Sequence, residues 1–236
     1  AEQNNLILIE DAAESLGSSV KGKKTGSIAD SSIFSFCGNK VLTTGEGGAV
    51  VTNSKEVYEK IKLIRSHGRL DKKSYFENPS MANYLQLGYN WRMSSMTAAL
   101  GISQLHKLDK IIKMRQNNAV YISERLKKIP EIQVPSPPND YDHIYQMYSI
   151  RLANNQIREK LHEFLLEKSI FSKVYFYPIH KTSFYQNQIS TIDSNLPVTE
   201  SVSNEILTLP MYPNMTNEEK NYLVQSIYEF FETKQI

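Results

Sequence analysis

Four aliphatic residues run together from Leu6 to Ile9 and stop at two carboxylates, Glu10 and Asp11, in the segment LILIEDAAESLG. A run without polar alternation suits a central strand buried on both faces, as parallel sheets covered by helices require. That feature points to an α/β fold. Further short strands are expected at Ser31 to Phe36 and Gly48 to Thr52, set apart by Gly, Asn and Thr loops. Ser54 suits the N-cap of a helix over Glu56 to Ser66, in which Val57, Ile61 and Ile64 share one side. Leu70 to Leu87 is polar and aromatic and reads as an excursion loop. A long helix is expected from Ser95 to Lys128, with Leu100, Leu105, Leu108, Ile112, Val120 and Leu126 facing inward.

The segment IPEIQVPSPPNDYD, Ile129 to Asp142, carries four prolines and must be extended or irregular. Beyond it the pattern restarts as a strand (Tyr145 to Leu152), a helix (Gln156 to Lys168), a strand (Ser172 to Tyr177), a loop and a final amphipathic helix from Asn217 to Glu232. The expected organisation is the remainder of one α/β domain over residues 1–114 and a smaller α+β domain over 115–236. A chain of 236 residues has the length for one large or two modest domains.

With 27 basic and 25 acidic residues the net charge is +2, which gives no electrostatic ground for a nucleic-acid or anionic-membrane surface. A small-molecule partner fits better. The single cysteine, Cys37, excludes an internal disulfide framework and suits a reducing cytosol, so a cytoplasmic protein is expected. No apolar stretch approaches the roughly 18 residues of a membrane-spanning helix, and no signal-peptide pattern is present. Ala1 to Asn5 lead straight into the first strand without an initiator Met, as if the chain were cut within a domain.

Asp11 ends the first strand, and loops at the carboxyl ends of strands form the crevice of open α/β sheets. A carboxylate there wants a cation, but on the residues alone it better suits the N-cap of a helix begun by Ala12, Ala13 and Glu14. Lys40, in SFCGNKVLTTGEGGAVV, lies between a Gly-Asn pair and a glycine cluster. An amine beside buried strands is less hydrated and a better nucleophile towards carbonyls, although most lysines are surface residues. Ser35 could offer its hydroxyl to an anion or merely close a turn. Gly45, Gly47 and Gly48 could admit a ligand to the backbone or form plain turns. Neither G-x-G-x-x-G between strand and helix nor G-x-x-x-x-G-K-[ST] occurs, so dinucleotide and P-loop chemistries fall away. The five histidines show no metal-ligand spacing, so no metal is expected. Taken together, a carboxylate for a pyridine nitrogen, a lysine for an aldehyde and donors for a phosphate are what pyridoxal 5′-phosphate needs.

The segments EDAAESLGS, GKKTGSIADSSIFSFCGNK, TTGEGGAVVTN and GYNWRMSSMTAALGISQL resemble the sugar aminotransferases of the DegT/DnrJ/StrS family. The likeness covers most of residues 6–128 and continues more loosely through HIYQMYSI and YPIH. It implies the C-terminal part of a fold-type I aminotransferase large domain, with a mixed, mostly parallel sheet, followed by a small α+β domain. It implies that Lys40 binds the cofactor covalently and then moves a proton between cofactor and substrate carbons. Asp11 would keep the pyridine nitrogen protonated and Ser35 would hold the phosphate. Asn90 would reach the cofactor phosphate of a neighbouring subunit, in an obligate homodimer with shared active sites. Glu14 stands where many members carry glutamine or histidine, near the cofactor's ring substituents. That glutamate departs from the common pattern but is compatible with a subgroup resembling perosamine synthases, which the run Gly38, Asn39, Lys40 matches and for which a nucleotide-linked 4-keto-6-deoxy sugar and glutamate are the implied substrates. His180, in YPIH, is a candidate for the sugar pocket, although scattered histidines are more often packing or surface residues.

Because the likeness starts partway into the family's large domain, the chain is expected to be a C-terminal fragment that does not transaminate alone. The competing expectation is a non-catalytic binding or oligomerisation module that keeps the fold. Asp11, Ser35, Lys40 and Asn90 together disfavour it, since such a module has no use for a charged pair in a crevice.

Overall fold

The computed structural model describes residues 1–69, 83–188 and 195–233. They fall into two compact units, residues 1–111 with 139–144 and residues 112–138 with 145–236. In chain order the strands of the first half are β1 (Ile9–Asp11), β2 (Ser19–Val20), β3 (Lys23–Lys24), β4 (Ser31–Ser35) and β5 (Gly48–Thr52). Helices α1 (Lys55–Ile64), α2 (Ser95–Leu105) and α3 (Leu108–Leu126) follow. Next come β6 (Ile132–Gln133), β7 (Tyr141–Asp142), β8 (Tyr148–Leu152), α4 (Asn155–Glu167), α5 (Ser183–Gln188), α6 (Pro197–Glu205), β9 (Ile206–Leu209) and α7 (Asn217–Glu232).

The first unit is built on a mixed three-stranded sheet of order β1-β4-β5. Strands β1 and β4 are parallel, with Asp11 opposite Ile33, and β4 and β5 are antiparallel, with Ser35 opposite Gly48. One of its two pairings is thus parallel, so the described strands are mixed without a parallel majority. Opposed residues share a face, and alternate residues along a strand do so as well. Glu10, Ser32 and Phe34 therefore point one way, and the contacts confirm it. The buried Ser32 hydroxyl donates to Glu10 Oε2 at 3.0 Å, and the Gly26 N–H donates to Glu10 Oε1 at 2.9 Å. Gly26, at φ 89°, lies so close to the Phe34 ring that a Cβ there would come within 2.2 Å of it. The segment before β4 thus covers this face, leaving Ile9, Asp11, Ile33 and Ser35 on the other. β2 and β3 form a hairpin through Lys21 and Gly22, both at positive φ as a tight hairpin turn demands, and β2 also pairs with β7. Ser54 caps α1 as expected, accepting from the Val57 N–H at 3.3 Å.

In the second unit β8 is the central strand of an antiparallel sheet of order β6-β8-β9. Ile122 and Leu126 of α3, Leu161 and Leu165 of α4, and Ile227 and Phe230 of α7 pack with Tyr148, Ile150 and Leu207 into one fully buried core. Burial pushes the Tyr148 phenol up to about 12, while its hydroxyl shares a 2.7 Å hydrogen bond with Ser123. Asn154 caps α4, and Thr216 with Glu219 forms a reciprocal capping box at the start of α7.

Several expectations are corrected. The run Leu6 to Ile9 is not a strand buried on both faces. Regular pairing begins only at Ile9, β1 bonds to β4 alone, and Leu6, Ile7, Leu8 and Ile9 are all exposed. Burial on both faces needs a neighbour over each face, and among the described residues the segment before β4 covers one face alone. The long helix is two, because the Lys107 N–H bonds to Gln104 O in a tightened turn at residues 106–107. Of its supposed inward residues Leu108, Ile112 and Leu126 are buried, whereas Leu100, Leu105 and Val120 are exposed. Ser172 to Tyr177 is not a strand. Lys173 makes a two-bond bridge to Thr208, at 2.9 and 2.8 Å, and the ladder goes no further. The stretch read as a loop before the last helix holds α5, α6 and β9. The expected excursion loop lies outside the described residues from 70 to 82, and 83–88 carry no regular element.

Candidate active site

Lys40 sits in the connection from β4 to β5, and its backbone explains why it is held. The Phe36 N–H donates to Gly47 O and the Thr44 N–H to Phe36 O, each at 2.9 Å, closing the base of the connection. The Lys40 N–H donates to Cys37 O at 3.1 Å, making a turn of residues 37–40. Val41, Leu42 and Thr44 are then buried, which anchors the chain directly after the lysine. Gly47 is required at its position: its φ is 153°, and a Cβ would lie 2.6 Å from Thr44 Oγ1 and 2.9 Å from Met93 Cε. The Lys40 side chain retains 11% of its exposure, so its amine is largely withdrawn from water.

Glu14 meets that amine, its Oε1 forming an ion pair with Lys40 Nζ. It lies in the turn that leaves β1, where the Ala12 N–H donates to Ile33 O at 3.0 Å and the Ser15 N–H to Ala12 O at 3.1 Å. Asp11 Oδ1 accepts from the Ala13 N–H at 3.0 Å. It therefore closes a turn, and the helix it was expected to cap does not form. Oδ2 of Asp11 is left without a hydrogen-bond partner among the described residues. Ser35 Oγ accepts from the Cys37 N–H at 3.3 Å, which leaves its own O–H free to donate. Asp11 ends β1 and Ser35 ends β4 on one face at the carboxyl ends of parallel strands, the position at which open α/β sheets bind ligands.

The remaining candidates make other contacts among the described residues. Asn90 is exposed and bridges to Ser66, with the Trp91 N–H donating to Arg65 O at 3.0 Å beside it. Among the described residues no hydrogen bond joins Asn90 to Asp11, Ser35 or Lys40. Near Asn90 in the chain, Arg92 Nη1 donates to the Ser66 hydroxyl at 2.8 Å. His180 belongs to the second unit, where its Nε2 lies 3.1 Å from Glu200 Oε1 while Lys181 Nζ lies 2.7 Å from Oε2. Lys181 first, then His180, hold the Glu200 carboxyl below its ordinary value. Sequence reasoning placed Glu14 at the site but missed its partner. A carboxylate three residues past Asp11 and a lysine past β4 carried the signal, since both follow the ends of strands that pair. No group of three or more metal-ligating side chains occurs among the described residues.

An amine withdrawn from water in the connection after β4, with a carboxylate oxygen without a partner among the described residues and a donating hydroxyl on one sheet face, fits an aldehyde cofactor that carries a ring nitrogen and a phosphate. The fold bearing them is that of the pyridoxal-phosphate aminotransferases. The chain belongs to the DegT/DnrJ/EryC1/StrS aminotransferase family, which matches it over residues 1–228. It is 35% identical over 234 residues to the GDP-perosamine synthase of Escherichia coli O157:H7, covering 99% of this chain and 61% of that protein. It is 34% identical over 235 residues to the UDP-4-amino-4,6-dideoxy-N-acetyl-beta-L-altrosamine transaminase of Campylobacter jejuni serotype O:23/36, covering 98% of this chain and 60% of that one. Among solved structures it is similar to Helicobacter pylori PseC, an aminotransferase involved in the biosynthesis of pseudoaminic acid. That likeness has a TM-score of 0.90 and 30% identity over 98% of this chain and 61% of the other. The chain thus spans about three-fifths of the length of these relatives.

Proposed function

We propose that the protein carrying this chain is a pyridoxal 5′-phosphate-dependent aminotransferase that exchanges the amino group of glutamate for the keto oxygen at carbon 4 of a nucleotide-linked 4-keto-6-deoxy sugar. The observation that carries the reading is Lys40: a withdrawn amine anchored beside the strand ends that present Asp11 and Ser35. The names of the perosamine synthase and altrosamine transaminase relatives support the sugar class.

When bound, pyridoxal phosphate supplies an electron sink for the carbon that loses or gains a proton. Lys40 would hold it through Nζ and, as a free amine, would carry a proton to and from the reacting carbon. For that, Nζ must lie within reach of the carbon, and the short anchored turn 37–40 limits where it can go. Asp11 offers the unpartnered Oδ2 to the ring nitrogen and keeps a proton there. Ser35 donates its hydroxyl to the phosphate. Asn90 serves the phosphate of a second subunit, and the enzyme works as a homodimer. Glu14 Oε1 is paired with Lys40 Nζ. His180 is a candidate for contact with the sugar. In this reading residues 1–114 are the remainder of the cofactor domain and 115–236 the small domain. A cytoplasmic setting suits the free thiol of Cys37.

The test is reductive trapping. The full-length protein is incubated with pyridoxal phosphate, reduced with borohydride and mapped by peptide mass spectrometry, with Lys40→Ala as control. A single pyridoxyl group on the Lys40 peptide is the expected result, and a separate, unreduced sample is expected to transfer the amino group from glutamate to nucleotide-linked keto sugars. A label scattered over surface lysines would reject the assignment of Lys40.

A further inference from the structure

We propose, on the reading of Lys40 as the cofactor lysine, that Gly101 of α2 is a positioning residue for it. By carrying no side chain, Gly101 lets α2 seat on Thr44, and Thr44 sets the connection from β4 to β5 that aims the lysine.

Gly101 lies inside α2, where a glycine weakens the helix relative to alanine, and its φ is not in the positive region that would call for glycine. Local structure therefore gives no reason for it, but packing does. A Cβ at position 101 would lie 3.0 Å from the Thr44 Cγ2 methyl, and among the described residues beyond its own helix no other atom would come within 4 Å. Thr44 has little freedom to move aside. It is buried, its hydroxyl donates to Glu46 O at 2.8 Å, and its N–H donates to Phe36 O at 2.9 Å. Turning the methyl away gives up the hydroxyl bond, and shifting the residue disturbs the N–H bond. The same helix meets the connection a second time through Met93, which precedes its N-cap Ser94 and whose Cε would lie 2.9 Å from a Cβ on Gly47.

Short steps join this contact to Lys40. Phe36 accepts from the Thr44 N–H and donates to Gly47 O, and one residue on, Cys37 O accepts from the Lys40 N–H at 3.1 Å. On the other side the buried Val41 and Leu42 fill the chain between the lysine and Thr44. A push of a few tenths of an ångström on Thr44 is thus passed to both ends of the turn 37–40. Reaction at a held amine depends steeply on such displacement, about 1 Å costing on the order of 100-fold.

The full-length protein, freed of cofactor, is mixed with saturating pyridoxal phosphate and quenched with borohydride at timed intervals. The pyridoxyl group on the Lys40 peptide is counted, and urea midpoints are measured alongside. Gly101→Ala is expected to label Lys40 about tenfold more slowly than wild type, with a midpoint unchanged or later because alanine favours the helix. A role confined to folding would not slow the labelling of a protein that stays as stable. Thr44→Ser keeps the hydroxyl and removes the methyl, so adding Gly101→Ala to Thr44→Ser should slow labelling by less than about twofold. That comparison also decides the matter where Gly101→Ala lowers the midpoint. Labelling of Gly101→Ala at the wild-type rate, or a loss that persists in the Thr44→Ser background, overturns the positioning role and leaves the Lys40 assignment standing. No label on Lys40 in wild type overturns both.

Discussion

Asp11 and Ser35 stand on the same face of the parallel β1–β4 pair: Asp11 lies opposite Ile33, and Ser35 is two residues further along β4. At about 3.3 Å per strand residue they are offset by about 7 Å along the strands, so one small ligand can touch both. The opposite face is committed to structure, with Ser32 and Gly26 bonded to Glu10 and Phe34 packed on Gly26. The sheet thus separates a structural side from a side with free polar atoms.

Asp11→Asn tests that separation. The amide keeps the hydrogen-bond geometry and loses the charge that would hold a proton on the ring nitrogen. Turnover of the full-length enzyme should fall by about 100-fold or more, the scale of removing one preorganised electrostatic group. Lys40 should still be labelled in reductive trapping. Near-normal turnover would show that Oδ2 does not serve the cofactor.

Gly26→Ala tests the structural side. The new Cβ would meet the Phe34 ring at 2.2 Å, and φ 89° is strained for any residue with a side chain. Overpacking and backbone strain together should lower stability by about 2–4 kcal/mol. Urea unfolding should show an earlier midpoint at an unchanged slope. An unchanged midpoint would mean that the Phe34 ring swings away without penalty.

Elements whose signals are local were legible in the sequence. The amphipathic run from Asn217 to Glu232 announces α7, Ser54 announces α1, and β4 and β5 are apolar runs bounded by loop residues. What depends on a distant partner was not. β9 is a strand because Ile206 to Leu209 pair with β8, more than fifty residues away in the chain, and nothing within the segment says so. The break at residues 106–107 has neither Gly nor Pro to mark it. Leu6 to Ile9 has the composition of a buried strand, but composition cannot name what covers it. The candidate site followed the same rule. Asp11, Ser35 and Lys40 were each visible as residue types at strand ends, whereas the ion pair of Glu14 with Lys40 joins two turns 26 residues apart.

Arg115 is a second long-range feature with a measurable consequence. It is buried on α3, and its Nη1 donates to Tyr145 O, Gln146 O and Met211 O at 3.0, 3.3 and 3.1 Å. Burial pushes the guanidinium down from its ordinary value. Arg115→Met fills a similar volume but removes all three of these bonds. Desolvated carbonyls that lose a charged donor should make the variant about 3 kcal/mol less stable in urea unfolding. A loss below about 0.5 kcal/mol would mean that burying the charge had already cancelled the gain from its bonds.

Glu219 gives a pH dependence whose sign follows from its surroundings. The Thr216 N–H donates to its Oε2 at 2.7 Å, and this backbone bond first, then the side-chain bond from Tyr212, holds the carboxyl below the ordinary value of 4.5. A carboxyl depressed in the folded state contributes stability above its unfolded value and loses it as pH falls through the folded value. Glu219→Gln keeps a hydrogen-bond acceptor in the capping box and removes the charge. Wild type should therefore be the more stable of the two at pH 7, with a gap that stays constant down to about pH 4.5 and closes below it. Urea midpoints of both proteins between about pH 3 and 7 measure this. A gap that persists unchanged at the acid end would assign the effect to side-chain shape and remove charge from the account of the α7 cap.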